Sequence, residues 1–372
     1  MPDKGYHRTC FAGVEKFVKK TKNITRKIVF ILLACLIVAG IIYGYGSKED
    51  TEYTKNTLLM DTVITLRASG KNAKPAIEES IKRLNEINKM ASANDSSSDI
   101  SKINAAAGAT PVAVHPEIVK MVQESIEYSK LTDGAFDITI GPLINLWGIG
   151  TENERVPSDD EIKANLPLIG YDKIKVDESA NTILLTQKGM AIDLGGIAKG
   201  FATDEVLSIY QKYKMKNGLI SLGSSTVYAL GQNTQGSKWR IGIVNPRDEN
   251  SDNYLGILRL SNEVISTSGD YERYFIKDGK RYHHILDPKT GYPADCGVMS
   301  DTIVIDDHVK NKGMISDILS TAVFILGKDK GMSFMQKLDG VSGEITTTDY
   351  KVYTTKRFDK RIESLNKKYT MQ

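Results

Sequence analysis

AIDLGGIAKGFATDE, residues 191–205, stands near the middle of the chain, where helical patterning gives way to a strand-rich half. It reads as a strand ending at Asp193, a Gly195-Gly196 turn and the first turns of a helix. Backbone N–H groups at such a junction can cradle a phosphate, and Lys199 adds a cation. Gly195, Gly196 and Gly200 have the spacing of neither a Walker P-loop nor a full dinucleotide fingerprint. Taken alone, the stretch is better read as a tight strand-to-helix turn.

Upstream, LLMDTVITLRA (58–68) alternates and is rich in β-branched residues, as a strand should be. Residues 75–90 place Ile77, Ile81, Leu84 and Ile87 at helical spacing. SANDSSSDIS (92–101) is small, polar and loop-like. HPEIVKMVQESIEYSKL (115–131) predicts a helix with Pro116 near its first position and an apolar face at Ile118, Met121, Val122 and Ile126. Downstream, GLISLG and WRIGIVNP join AIDL as strands, and ERYFIKDGKRYHHIL predicts a hairpin turning at Asp278-Gly279. Helices near 197–214 and 315–338 interrupt them. No repeat or low-complexity linker divides 57–372, which therefore reads as one large α+β domain.

The 372 residues are 41% hydrophobic and 26% charged, a globular composition. The net charge of +3 comes from KFVKKTKNITRK (16–27), so no nucleic-acid footprint is visible elsewhere. Cys10, Cys35 and Cys296 make neither a disulfide framework nor a zinc spacing. IVFILLACLIVAGIIYGYG (28–46) is uncharged and long enough to cross a bilayer core of about 30 Å. Basic residues precede it, which orients 1–27 as a cytoplasmic tail and puts everything after 47 outside, 47–56 being a polar linker. Leu32-Leu33-Ala34-Cys35 resembles a lipobox, but the apolar run continues past Cys35, so an uncleaved anchor is the preferred reading.

Three stretches besides 191–205 carry candidate chemistry. In SDILSTAVFILG (316–327), Asp317 and Thr321 share one helix face, and with a nearby carbonyl they form an all-oxygen set suited to Mg²⁺. The plain alternative is a helix cap at Asp317 and a local hydroxyl bond at Thr321. GAFDITIGPLINLWGIG (134–150) sets Asp137 beside an aromatic, then a Gly-Pro turn and Trp147, the ingredients of a slot for a flat heteroaromatic ring. Trp147 is still more often a core residue. YHHILDP (282–288) holds two of the five histidines. On a strand, neighbours point to opposite faces, so His283 and His284 cannot both enter one site.

Together and in this order, these strings, with SSSDISKIN (96–104) and STSGDYERYF (266–275), resemble the FAD:protein FMN transferases, the ApbE flavin transferase family. The resemblance covers 57–345 and implies a T-fold-related α+β domain at 57–372. It also implies a reaction in which Mg²⁺ sits at the pyrophosphate of FAD and a Ser or Thr hydroxyl of a target protein attacks the FMN-side phosphorus, releasing AMP. The implied metal ligands are Asp317, Thr321 and the carbonyl of Gly196. The implied flavin contacts are Met60, Ala135, Phe136, Asp137, Asp193, Lys199 and the segment around Ile285. His284 matches the histidine of the family's His-Ile-x-Asp-Pro string and is the candidate base; a histidine that merely bonds the turn is the alternative. Met60-Asp61-Thr62 stands where the family has Met-Gly-Thr, and Ser224-Ser225 where it commonly has Gly-Gly. The implied targets are subunits of membrane redox complexes or secreted flavoproteins. An FAD pyrophosphatase and a non-catalytic flavin-binding protein remain competing readings.

Overall fold

The computed structural model describes residues 52–223, 225–248 and 253–372. The basic tail, the apolar run 28–46 and the start of the linker lie outside the described residues, as does Ser224. Among the described residues no helix is long and apolar enough to cross a membrane.

One nine-stranded sheet organises the domain, and its strands lie side by side in chain order. They are β1 (Glu52–Leu59), β2 (Thr62–Ser69), β3 (Gly218–Leu222), β4 (Thr226–Leu230), β5 (Glu263–Gly269), β6 (Val298–Asp306), β7 (Val341–Thr347), β8 (Lys351–Thr354) and β9 (Thr370–Met371). Every neighbouring pair is antiparallel except β8 with β9. Among the described residues three long helices pack on it, α1 (Ala73–Ala91), α3 (Ala198–Lys212) and α4 (Lys312–Met335), and α2 (Pro116–Leu131) packs against α4. Their apolar stripes join Ile64, Leu66, Ile303, Ile305 and Ile345 of the sheet in the main core. A second core, around Trp239, Leu258, Val304 and Phe358, covers the other face. With both faces covered, β6 is buried from Val298 to Ile305 and β7 throughout. That is why neither shows the alternation of a half-exposed strand.

The hairpin Tyr274–Lys277/Lys280–His283 forms as predicted, with positive φ at Asp278 and Gly279. Four expectations are corrected. LLMDTVITLRA is not one strand: Met60 (φ 54°) and Asp61 (φ 56°) form a tight turn between β1 and β2. A two-residue turn with both φ positive matches strand twist and is usually Asn-Gly or Asp-Gly, so Met-Asp gave no turn signal. β1 begins at Glu52, so the last residues of the 47–56 linker are strand. Within 92–101 a helix starts at Asp99, capped by Ser98, whose side chain accepts from Ser101 N. AIDL makes a single bridge, Ile140 to Ala191. The Asn104 side chain takes the Ile192 carbonyl (3.0 Å) and N–H (2.7 Å) that a strand neighbour would have taken.

Candidate active site

α3 and α4 cross at backbone contact. A Cβ on Gly200 would lie 2.2 Å from the Gly313 carbonyl oxygen, and one on Gly313 would lie 2.3 Å from that of Gly200, so only glycine fits either position. Each helix donates its first turn to an aspartate of the other. Gly200 N donates to Asp317 Oδ2 at 3.0 Å. Gly313 N and Met314 N donate to Asp204 at 2.8 and 3.0 Å. The carboxylates thereby meet unpaired amides and the positive dipole end of the opposite helix. Asp317 thus caps a neighbouring helix from inside α4, not its own.

This crossing forms one wall of a cleft of about 460 Å³. Met60, Ala135, Phe136, Asp137, Asp193, Gly196, Lys199, His284, Ile285, Asp317 and Thr321 all line it. Asp317 is 5% exposed, and burial raises its pKa against the lowering effect of Lys199 and of the Gly200 amide. A Cβ on Gly196 would stand 3.3 Å from Thr321 Oγ1, which sets the Gly196 backbone beside that hydroxyl. Thr226 Oγ1 donates to Asp317 Oδ1 at a long 3.4 Å. Lys199 Nζ reaches back to the Gly195 carbonyl at 3.2 Å.

The donor set is therefore one carboxylate, one hydroxyl and one carbonyl. Among the described residues no group of three or more His, Cys, Asp or Glu could hold a metal ion. The set fits a hard cation that keeps waters and completes its shell with phosphate oxygens, the usual situation of Mg²⁺. It does not fit zinc.

The opposite wall comes from loops and hairpins. Ala135 and Phe136 are buried in a loop whose shape Asp137 holds. Asp137 Oδ1 accepts from Thr139 N (2.8 Å) and Thr139 Oγ1 (2.7 Å), and Oδ2 accepts from Tyr171 N (2.9 Å). Its carboxylate thus faces the protein, and burial raises its pKa. The Gly-Pro pair that follows begins a short helix, Gly141–Trp147. Trp147 is a core residue: its Nε1 donates to the Gly291 carbonyl at 2.8 Å and its ring packs beside Tyr282 and Tyr292. Trp147 thereby pins the DPKTGYP turn.

The histidine doublet splits. The hairpin strand ends at His283, which is 6% exposed and braces the following turn. Its Nδ1 accepts from Ile285 N (3.3 Å), leaving Nε2–H to donate to the Ala294 carbonyl (3.1 Å). His284 lines the cleft, with Nδ1 3.3 Å from the Arg273 carbonyl. Donation from Nδ1–H to that carbonyl leaves Nε2 with a free lone pair. Although the ring keeps some exposed surface, the surrounding walls strip its water. With the Arg273 and His283 charges, this pushes its pKa down to about 3.

Ser225, of the pair that departs from the family's Gly-Gly, lines the cleft, as do Arg273 and Thr267, which have no signal of their own in the sequence. Arg273 and Thr267 lie inside STSGDYERYF, so the string was noticed while its individual roles were not.

The ApbE family profile matches residues 60–343. A curated relative named FAD:protein FMN transferase, from Klebsiella pneumoniae (strain 342), is 33% identical over 302 residues, covering 81% of this chain and 90% of its own length. One of the same name from Treponema pallidum (strain Nichols) is 28% identical over 358 residues, covering 92% and 97%. Among solved structures, the ApbE protein of Thermotoga maritima superposes with a TM-score of 0.76 at 31% identity, over 84% of this chain and all of that one. The flavin transferase ApbE of Vibrio cholerae superposes with a TM-score of 0.73 at 29% identity, covering 83% and 99%.

Proposed function

Since this chain belongs to the ApbE family, we propose that it is an FAD:protein FMN transferase, moving the FMN part of FAD onto a Ser or Thr hydroxyl of a target flavoprotein and releasing AMP. The observation that carries the reading is the pairing, in one cleft, of an oxygen-and-lysine end with an apolar slot. Asp317, Thr321 and Gly196 would hold Mg²⁺, which neutralises phosphate charge when bound. Lys199 supports the same end as a cation for a phosphate. Met60, Ala135, Phe136 and Ile285 offer apolar surface to the isoalloxazine ring. Phosphoryl transfer is mostly positioning and charge neutralisation, so little else is required. His284, neutral at working pH, would receive the acceptor hydroxyl's hydrogen bond at Nε2 and aim its oxygen at phosphorus.

Purified full-length protein, FAD and Mg²⁺, with and without a candidate acceptor flavoprotein, test the reading by mass spectrometry. FMN covalently on the acceptor, together with AMP, is the expected result. Free FMN and AMP alone would make the protein a pyrophosphatase, and unchanged FAD would make it a binder.

We also propose that residues 28–46 anchor the domain at the outer face of the cell membrane, near membrane redox complexes or secreted flavoproteins. The support is the uncharged run with basic residues only before it. N-terminal sequencing of the membrane fraction should find 28–46 intact; a start at lipid-modified Cys35 would make the protein a lipoprotein instead.

A further inference from the structure

Lys199 and the oxygen set suited to Mg²⁺ put positive charge on one wall of the cleft, yet a pyrophosphate carries negative charge on both of its phosphates. We propose that Arg273 is a further catalytic residue, its guanidinium gripping the FMN-side phosphate from the hairpin wall during transfer. This inference rests on the transferase reading of the cleft and adds the group that meets the phosphate from the acceptor's side.

The hairpin aims this side chain. Tyr274 pairs with His283, and His284 N donates to the Arg273 carbonyl at 3.1 Å. The ladder thus runs one step further and makes Arg273 the cross-strand neighbour of His284. Directly opposed residues project from one face with Cβ atoms roughly 5 Å apart. Alternation puts Phe275 and Tyr282 on that same face. There Phe275 stacks on Tyr282 at 5.3 Å, and Tyr282 lies 5.6 Å from the Trp147 ring. Trp147, Arg273 and His284 all line the cleft. A Cβ on Gly150 would lie 3.4 Å from Arg273 Cδ, so the aliphatic stem rests on the Gly150 backbone and leaves the charged head in water.

That head is unclaimed. Arg281, on the hairpin's other face, donates to the Asp270 carbonyl at 3.2 Å and lies 3.6 Å over the Tyr274 ring. Among the described residues, by contrast, no hydrogen bond or ion pair holds the Arg273 guanidinium. Its charge still reaches His284, where it is the strongest influence after burial in lowering the pKa.

A forked guanidinium can bond two oxygens of one phosphate at once, which an ammonium cannot. If His284 Nε2 guides the acceptor oxygen to the FMN phosphorus, its cross-strand neighbour stands at the same phosphorus. In the step, the acceptor oxygen forms a bond to that phosphorus while the bond to the AMP oxygen breaks, its electron pair leaving with AMP. The acceptor's proton leaves to water, and Arg273 keeps its own protons throughout. Charge spread over the oxygens of the transferring group is what the guanidinium meets.

Arg273→Met keeps a stem against Gly150 and removes only the charged head; Arg273→Ala removes both. Full-length wild type and Arg273→Met with bound FAD and Mg²⁺ would be compared by ³¹P NMR. The FMN-side resonance should shift in the variant; a resonance that stays in place in folded Arg273→Met would overturn the proposal. In the transfer assay, AMP release at saturating FAD should fall roughly 10³-fold, the low end for an arginine acting on a transferring phosphoryl group. The loss should lie in kcat, with the KM for FAD little changed. Added guanidinium chloride at low concentration should restore part of the rate to Arg273→Ala. A folded Arg273→Met with the wild-type kcat would overturn the proposal. Absence of AMP in wild type would instead count against the transferase reading, with Arg273 still decided by the phosphorus spectrum.

Discussion

The two walls of the cleft are built on different principles. The helical wall places Asp317 through a backbone-to-backbone crossing at Gly200 and Gly313, with each helix capped by an aspartate of the other. The hairpin wall places His284 one residue beyond a short strand, held by the Arg273 carbonyl and braced through His283. The first is overdetermined, because moving Asp317 means uncoupling two helices. The second depends on a few hydrogen bonds around a turn. A buried charge needs the first kind of support, since leaving it unpaired is expensive. A neutral imidazole that accepts a hydroxyl's hydrogen bond can rest on the second.

Substitutions can break this contrast. Asp317→Ala should abolish Mg²⁺-dependent AMP release; a variant that is active and only about 1 kcal/mol less stable would reduce Asp317 to a cap. His284→Ala should lose roughly 10² to 10⁴ in FMN transfer at saturating FAD while melting like wild type, a split that marks a group acting at the reaction. Gly200→Ala should cost about 1–3 kcal/mol in denaturant unfolding, through overpacking against Gly313. It should also weaken Mg²⁺ dependence, because the crossing positions Asp317.

His283→Ala should act mainly on stability, by about 1 kcal/mol for its lost hydrogen bonds. Burial lowers the His283 pKa below 6.5 in the folded state, so the unfolded chain takes up the proton first as pH falls. Its stabilising contribution is therefore complete above pH ~6.5 and fades below it. The gap in melting temperature between variant and wild type should be wider at pH 7.5 than at pH 5. Asp61→Gly should have the smallest effect, under about 1 kcal/mol. Glycine relieves the left-handed backbone of the turn but loosens the unfolded chain. A large loss of FAD affinity there would show that the Asp61 side chain itself takes part.

The two hairpins that border the cleft show where sequence legibility ends. Asp278-Gly279 announced its turn because glycine makes a positive φ cheap. Met60-Asp61 adopts the same left-handed geometry without that signal, so β1 and β2 read as one strand. The helices were legible because their apolar spacing is a local property. β6 and β7, at the heart of the sheet, were not, because burial on both faces erases alternation. AIDL looked like a strand because its composition is that of one, yet the Asn104 side chain takes its hydrogen bonds from 88 residues away.

For the site, the residue types at 317 and 321, at 195–199 and before Asp287-Pro288 each allowed a plain structural reading, and it was the resemblance of the strings, taken together and in order, to the ApbE family that implied the chemistry. What the sequence alone determined was thus the local inventory, because helical period and turn chemistry act over a few residues. Only the tertiary structure decided that Asp137 turns its carboxylate inward, that His283 braces the turn through Ile285 and Ala294, and that Asp317 caps α3 and not its own helix. Those outcomes depend on strand register and helix crossing, where packing between distant segments sets which atoms meet.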